Sequence, residues 1–339
     1  MNTVRRGRIT GSLLFAILFA AGILTGPLAC RRPGTADTAP APADNNIILG
    51  FSQIGAESAW RNRNTRSVQE AAAEAGIQLL FSNAEQKQEN QIKAIRSYIA
   101  YQVDVIAFVP IVADGWDNVL QEAKDAGIPV LVTDRKINIQ DESLYAGFIG
   151  TDSVWEGREA GKFLLEKFRD RLAAEETIRI VELSGTIGSS PAAGRAQGFR
   201  EIIGQYPQFE IVYSESGDFL RSKGYELMRT ILDIQKDIDV IFSHNDGMTL
   251  GVLDAIRERG LRPGRDMAIV TIDAEQAAIN ALIRGEVNCV IECNPRQGPG
   301  IMRLVRQLAR GEPISRLIHV DEQVFYEGED LSALPPRGY

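Results

Sequence analysis

Residues 47–82 read IILGFSQIGAESAWRNRNTRSVQEAAAEAGIQLLFS, and the order of patterns inside them decides the fold. The first apolar run, IILGFS, has the length and the side chains of a buried strand. It gives way to SVQEAAAEAG, a helical pattern that closes on Gly76, a residue suited to the left-handed position at a helix end. IQLLFS follows at once as a second strand. Strands that alternate with helices in this way pair in parallel, with helices covering both faces of the sheet.

Working outward, the unit recurs. VDVIAFVP and IPVLVTD are further strands, separated by the helical patterns ENQIKAIRSYIAYQ and GWDNVLQEAKDAG, and Gly127 closes the latter as Gly76 closes the first. From Thr151 a second set begins: IRIVELSG, FEIVYSESG, DVIFSHND, MAIVTIDA and VNCVIEC, with helices such as AGRAQGFREIIGQY, RSKGYELMRTILDIQ and MTLGVLDAIRERG between them. A last helix, GPGIMRLVRQLARG, and a last strand, LIHVDEQVFY, complete the chain. A length of 339 residues exceeds what one hydrophobic core usually serves. The expectation is an α/β protein of two Rossmann-like, doubly wound parallel-sheet lobes.

The 37 Lys and Arg against 45 Asp and Glu leave the chain mildly acidic. With no basic cluster in the folded part to neutralise phosphates, nucleic acid is not an expected partner. The first thirty residues differ from the rest: Arg5, Arg6 and Arg8 precede the uncharged run GSLLFAILFAAGILTG and then PLAC. That is the charged start, apolar middle and small-residue end of an export signal, 1–30, with a retained membrane anchor as the alternative. LAC ending at Cys30 resembles the lipobox of bacterial lipoproteins, with Pro27 departing from the pattern. Cys30 is therefore the expected lipid-acceptor residue, on the periplasmic or extracytoplasmic side. Residues 31–46, rich in Pro, Ala and Asp, read as a disordered tether.

Cys289 and Cys293 lie four apart on an expected strand, on one face but about 13 Å from each other, too far for a disulfide. They read as buried free thiols, a bulged pair being the alternative. His244 and His319 have no ligand spacing toward each other or the thiols, so no metal and no cofactor are expected.

In open parallel sheets ligands bind beyond the carboxyl ends of the strands. Polar residues collect there: Ser52 and Gln53, Asp134 and Arg135, Asn245 and Asp246, and Asp273, while nearby helix starts supply Trp60, Arg61 and Arg195. Carboxylates and amides accept from hydroxyls, guanidinium groups donate in a planar fork, and a ring can cover the C–H face of a sugar. The inventory suits a neutral polyhydroxylated ligand. Each residue also has a plainer reading: Asp134 and Arg135 as an ion pair, Trp60 as core, Asn245 and Asp246 as a helix cap.

The stretch from Ile47 to Tyr339 resembles the type I periplasmic sugar-binding proteins of ABC transporters, the ribose-binding group. The likeness is carried by DR at 134–135, ELSGTIGSSPAAGRAQGF, SGDF, HNDGM and TIDA. FSQIGAESAWR, QKQENQIKAIRSYIA, GDFLRSKGYELM and the terminal GY are similar to the galactofuranose-binding subfamily. The resemblance implies sugar contacts from Trp60, Arg61, Asp134, Arg135, Arg195, Asn245 and Asp273, and adds Glu57, Trp116 and Phe219; ECNP, with Cys293, departs from the family pattern.

It also implies a three-crossing hinge near Thr151, Asn294 and Asp321. The N-terminal lobe is then 47–150 with 294–320 and the C-terminal lobe 151–293 with 321–339, the last strand reaching the second lobe. Such a protein would close on a monosaccharide by hinge motion, work as a monomer, and deliver the sugar to ABC permease subunits without chemistry of its own. Three rivals are weighed. A glycosidase would use a carboxylate pair among Glu57, Asp134 and Asp273. A sugar-responsive regulator would need a DNA-reading helix-turn-helix before Ile47, where an apolar signal and tether stand instead. A sensor would hand its closed form to a signalling receptor.

Overall fold

The computed structural model describes residues 47–235 and 237–339; the expected signal, tether and Cys30 lie outside them. The first sheet is built from β1 (Ile48–Gln53), β2 (Gln78–Asn83), β3 (Val105–Phe108), β4 (Val130–Thr133) and β5 (Gly147–Gly150). Between these strands run α1 (Ala59–Ala75), α2 (Gln88–Tyr101) and α3 (Asp117–Asp125). After β5 the chain passes to a second sheet through α4 (Ser153–Lys167) and the short α5 (Arg169–Ala173). That sheet holds β6 (Ile178–Ser184), β7 (Phe209–Ser216), β8 (Val240–Ser243), β9 (Ala268–Asp273) and β10 (Cys289–Glu292). Its helices are α6 (Ser190–Ile203), α7 (Arg221–Ile234), α8 (Asp246–Glu258) and α9 (Gln276–Ile283). Then α10 (Gly298–Ala309) and β11 (Leu317–His319) return to the first sheet, and β12 (Val324–Tyr326) ends in the second.

The two sheets have one plan. Their strand orders are β11-β5-β4-β3-β1-β2 and β12-β10-β9-β8-β6-β7. Every pairing is parallel except β12 against β10. In each, the order reverses beside the first strand, which creates the crevice where ligands of doubly wound sheets bind. The central strands are buried on both faces, so they read as continuous apolar runs and not as alternating ones. Helix layers close both faces of each sheet, with Phe51 and Leu49 facing the α1–α10 layer and Ile106 and Phe108 the α2–α3 layer.

Two elements depart from the sequence expectation. β5 carries almost no signal because glycines at 147 and 150 bracket only Phe148 and Ile149. The expected single strand LIHVDEQVFY is two: β11 pairs with β5 of the first sheet, whereas β12 pairs with β10 of the second. The intervening segment, 320–323, is one of three passages between sheets, so a uniform β pattern was split by tertiary position.

Close backbone approach sets the place of α6. A Cβ on Gly157 would stand 2.1 Å from the carbonyl oxygen of Arg195, and one on Gly198 would stand 1.9 Å from that of Val154. Only glycine permits α4 and α6 to meet backbone to backbone there, which puts Arg195 beside Glu156. Among the described residues no helix is long and apolar enough to cross a membrane.

Candidate functional site

The loops at the carboxyl ends of the two sheets face one another across a cleft with about 360 Å³ free of protein atoms, part of it open to solvent. Nine of the ten residues expected at the site line it. From the first lobe come Glu57, Trp60, Arg61, Asp134 and Arg135; from the second come Arg195, Phe219, Asn245 and Asp273. Trp116 does not. It is fully buried in the core of the first lobe, packed on Phe108 at 4.8 Å between ring centroids, and its Nε1 donates to the carbonyl of Val112. It packs with the α2–α3 side of the first sheet and is not part of the cleft lining. Gln53 likewise turns inward, donating to Asn64 and Thr65 of α1. Asp246 sits behind the cleft, accepting from Thr271 Oγ1 and the backbone N–H of Glu275.

On the first-lobe side one network runs from the start of α1 to the end of β4. Ser58 caps α1, its Oγ accepting from Arg61 N–H at 3.0 Å. Arg61 then spreads its fork over three partners: Nε to Glu57 at 3.0 Å, Nη2 to Asp134 at 2.7 Å and Nη1 to Asn64 at 3.4 Å. Burial opposes the charge of Arg61, but the two carboxylates outweigh it and raise its pKa. The guanidinium also lies 4.6 Å from the centroid of the Trp60 ring, a cation–π contact. This is why an aromatic residue and an arginine stand together at that turn. Arg135 differs: its Nη1 donates to the carbonyl of Ile111 at 3.0 Å, its Nε is buried with no acceptor among the described residues, and burial lowers its pKa to about 10. It remains charged at neutral pH and faces Phe219 of the other lobe, 5.4 Å from the ring centroid.

On the second-lobe side Arg195 donates through Nε to Glu156 at 2.6 Å and through Nη1 to the carbonyl of His244. Its Nη2 is 3.7 Å from Asp273. The Asp273 carboxylate, 4% exposed as a residue, accepts no hydrogen bond among the described residues, and burial raises its pKa well above the usual aspartate range. Asn245 does cap α8, Oδ1 accepting from Met248 N–H at 3.0 Å, and lines the cleft as well. The positions are held at some cost: Asp134 (φ 62°), Phe219 (φ 62°) and Asp273 (φ 127°) lie in the left-handed half of the backbone map, at about 1–3 kcal/mol each for such residues.

The lobes are closed onto one another. Trp60 N–H donates to Glu275 of the second lobe at 3.0 Å and its Nε1 to the carbonyl of Cys293 at 2.5 Å. Ala113 N–H donates to the carbonyl of Gly188 at 2.9 Å and Lys136 N–H to Ser190 Oγ at 2.7 Å. Sequence reasoning did not place Ser58, Thr151, Pro191 or Cys293 in the lining, nor Glu156 and Glu275 behind it. Cys293 was noted as a departure, and Thr151 directly follows a glycine-bracketed strand. Nothing local marks the two glutamates, because their partners are 39 and 215 residues away in the chain. Both cysteines among the described residues are buried and free.

A model of the periplasmic binding protein domain matches residues 49–313. The chain is 42% identical over 257 residues to the galactofuranose-binding protein YtfQ of Escherichia coli (strain K12), covering 75% of this chain and 79% of that one. Among solved structures it is similar to a Mycobacterium smegmatis protein in complex with β-D-fucofuranose, with a TM-score of 0.83, 45% identity, and 86% and 95% of the two chains covered. A third likeness is to the periplasmic binding component of the arabinose ABC transporter of Shewanella sp. ANA-3, bound to α- and β-L-arabinofuranose. There the TM-score is 0.79 at 40% identity, covering 83% of this chain and 92% of that one.

Proposed function

Because the chain belongs to the periplasmic binding protein family, we propose that it captures a monosaccharide in its furanose form and presents the closed complex to an ABC-type sugar permease. The lobes are 47–150 with 294–320 and 151–293 with 321–339, hinged at the three passages between sheets. It works outside the cytoplasm as a monomer, and Cys30 would tether it to the membrane by a lipid. The protein is a carrier and not an enzyme, in keeping with its family.

The observation that carries the ligand class is a mismatch across the cleft. Arg135 on one lobe has a buried N–H without an acceptor, and Asp273 on the other has a buried carboxylate whose cation, Arg195, stands 3.7 Å away, beyond hydrogen-bond reach. Groups buried in that state are costly unless a ligand completes them. A hydroxylated molecule that accepts from one and donates to the other completes both and ties the lobes together. The remaining cations, Arg61 and Arg195, are already paired with carboxylates, so the cleft favours a neutral ligand over an anion. Phe219 supplies the apolar wall from the second lobe, while Trp60 has one face toward Arg61. Furanose is preferred because the three relatives above are named for, or hold, furanose sugars.

Calorimetric titration of residues 47–339 with galactofuranose, galactopyranose, L-arabinose and ribose tests the reading. Tightest binding of a furanose-forming sugar is expected; binding of none of the four, or of an anionic sugar phosphate in preference to all, would overturn it.

A further inference from the structure

Behind the cleft, the three passages between the sheets meet in one cluster. Glu156 lies in the first turn of α4 after the first passage, Cys293 follows β10 at the second, and Glu322 stands between β11 and β12 in the third. An oxygen from each carboxylate and the Cys293 sulfur all lie within 4.8 Å of one another. Each carboxylate has one oxygen accounted for: Glu156 Oε2 accepts from Arg195, and Glu322 Oε2 accepts from the backbone N–H of Asp152 at 3.0 Å. The other two, Glu156 Oε1 and Glu322 Oε1, are sealed from solvent and have no donor among the described residues.

Two ionised carboxylates at this range repel one another, and two buried acceptors facing the same space leave both unsatisfied. One proton removes both difficulties. A metal ion fits less well, because the Arg195 guanidinium already occupies Glu156 and would face the added charge. The other groups turned toward the cluster are Asp273, 3.7 Å from Arg195, and Thr151, whose Oγ1 is 3.6 Å from Cys293 Sγ. Neither offers a cation to keep both glutamates ionised.

We propose that Glu322 is a positioning residue for ligand binding: it stands as a neutral carboxylic acid whose proton is donated to Glu156, and through Glu156 it fixes the Arg195 guanidinium in the cleft. Burial, reinforced by the neighbouring Glu156, pushes Glu322 up to about 11, in keeping with this geometry. The third hinge passage is thereby linked to a cleft residue it never touches. The positioning role rests on the sugar-binding reading of the cleft; the proton itself does not.

The experiment compares the wild type with Glu322→Gln and Glu322→Ala. Infrared difference spectra at neutral pH, without sugar, should show a protonated-carboxyl C=O band in the wild type that both variants lack. The glutamine amide keeps a donor toward Glu156, so its sugar affinity should stay within about threefold of wild type, while alanine loses about tenfold or more, the scale of one hydrogen bond to a charged group. Wild-type affinity should fall as pH rises through the alkaline range where the proton leaves, and more steeply than that of Glu322→Gln, which keeps only the titration of cleft groups such as Arg135. No band lost in the variants would overturn the proposal whatever the sugar does. A band with equal affinities in all three proteins would overturn the positioning role. If the alanine variant does not fold, Glu322→Asp replaces it, its shorter arm expected to lose affinity where glutamine keeps it; equal affinities there overturn the role in the same way. A wild type that binds no tested sugar, with the band present, defeats the sugar reading alone.

Discussion

On the first-lobe side of the cleft Arg61 is saturated by Glu57, Asp134 and Asn64, all of its own lobe. On the second-lobe side Arg195 is held from behind by Glu156 and the His244 carbonyl, while Asp273 in front of it has no donor. The two sheets share a strand order, yet Arg61 is spent wholly inside its own lobe, whereas one group on each side of the cleft, Arg135 Nε of the first lobe and the Asp273 carboxylate of the second, is left without a hydrogen-bond partner among the described residues. The Arg61 network is preorganised before any ligand arrives, and the Arg135–Asp273 pair needs the ligand, and the closing of the cleft, to be satisfied. Preorganisation lowers the ordering cost of binding, and the unsatisfied pair ties closure to occupancy.

This contrast can be broken most forcefully at Arg195. Arg195→Ala leaves the fully buried Glu156 without its cation, a loss on the order of 3–5 kcal/mol, read as a lower urea midpoint at unchanged slope. Arg61→Ala strands two carboxylates, Glu57 and Asp134, and should lower the midpoint at least as far. Asp273→Asn should act in opposite directions on affinity and stability. Losing hydrogen bonds to a charged acceptor costs about 1.5–3 kcal/mol of binding, roughly 10- to 100-fold by titration.

The ligand-free protein should gain stability at neutral pH from the same substitution. A carboxyl whose folded pKa is raised binds its proton more tightly folded than unfolded, so its contribution falls as pH rises above the ordinary aspartate value near 4. The variant loses that slope, as thermal unfolding across pH would show. A smaller effect is expected at Glu275, which satisfies the Trp60 N–H in the first turn of α1 only while the lobes are closed. Glu275→Ala removes a contact comparable to a helix cap, about 1 kcal/mol, raising the dissociation rate about fivefold in stopped-flow measurements of Trp60 fluorescence. The smallest is at Trp116. Trp116→Phe should leave affinity within about twofold and lower stability by about 1 kcal/mol, the worth of its hydrogen bond to Val112; a large loss of affinity would return that ring to the site.

Much of the molecule could be read in advance because its signals are local. Glycine closes α1 at Gly76 with φ 66°, and the central strands are apolar throughout since both faces are covered. The strand-end rule gathers Asp134, Asn245 and Asp273 without any knowledge of their neighbours. The misreadings come where one local pattern serves two tertiary fates. Trp116 and Trp60 both stand at the entrance to a helix, yet the first turns into the core while the second lines the cleft and donates across to Cys293. The terminal β pattern likewise divides between two sheets.

By itself the sequence determined the parallel α/β architecture, the near-neutral inventory of cations and carboxylates, and the edge at which they gather. These follow from periodicity, composition and chain direction, which neighbours in sequence settle. Only the tertiary structure decided which charges are spent on one another and which are left for a ligand. Arg195 with Glu156, Trp60 with Glu275, and Glu156 with Glu322 are pairings between distant segments, and desolvation and hydrogen-bond geometry, the quantities that set their strength, exist only once the segments are packed together.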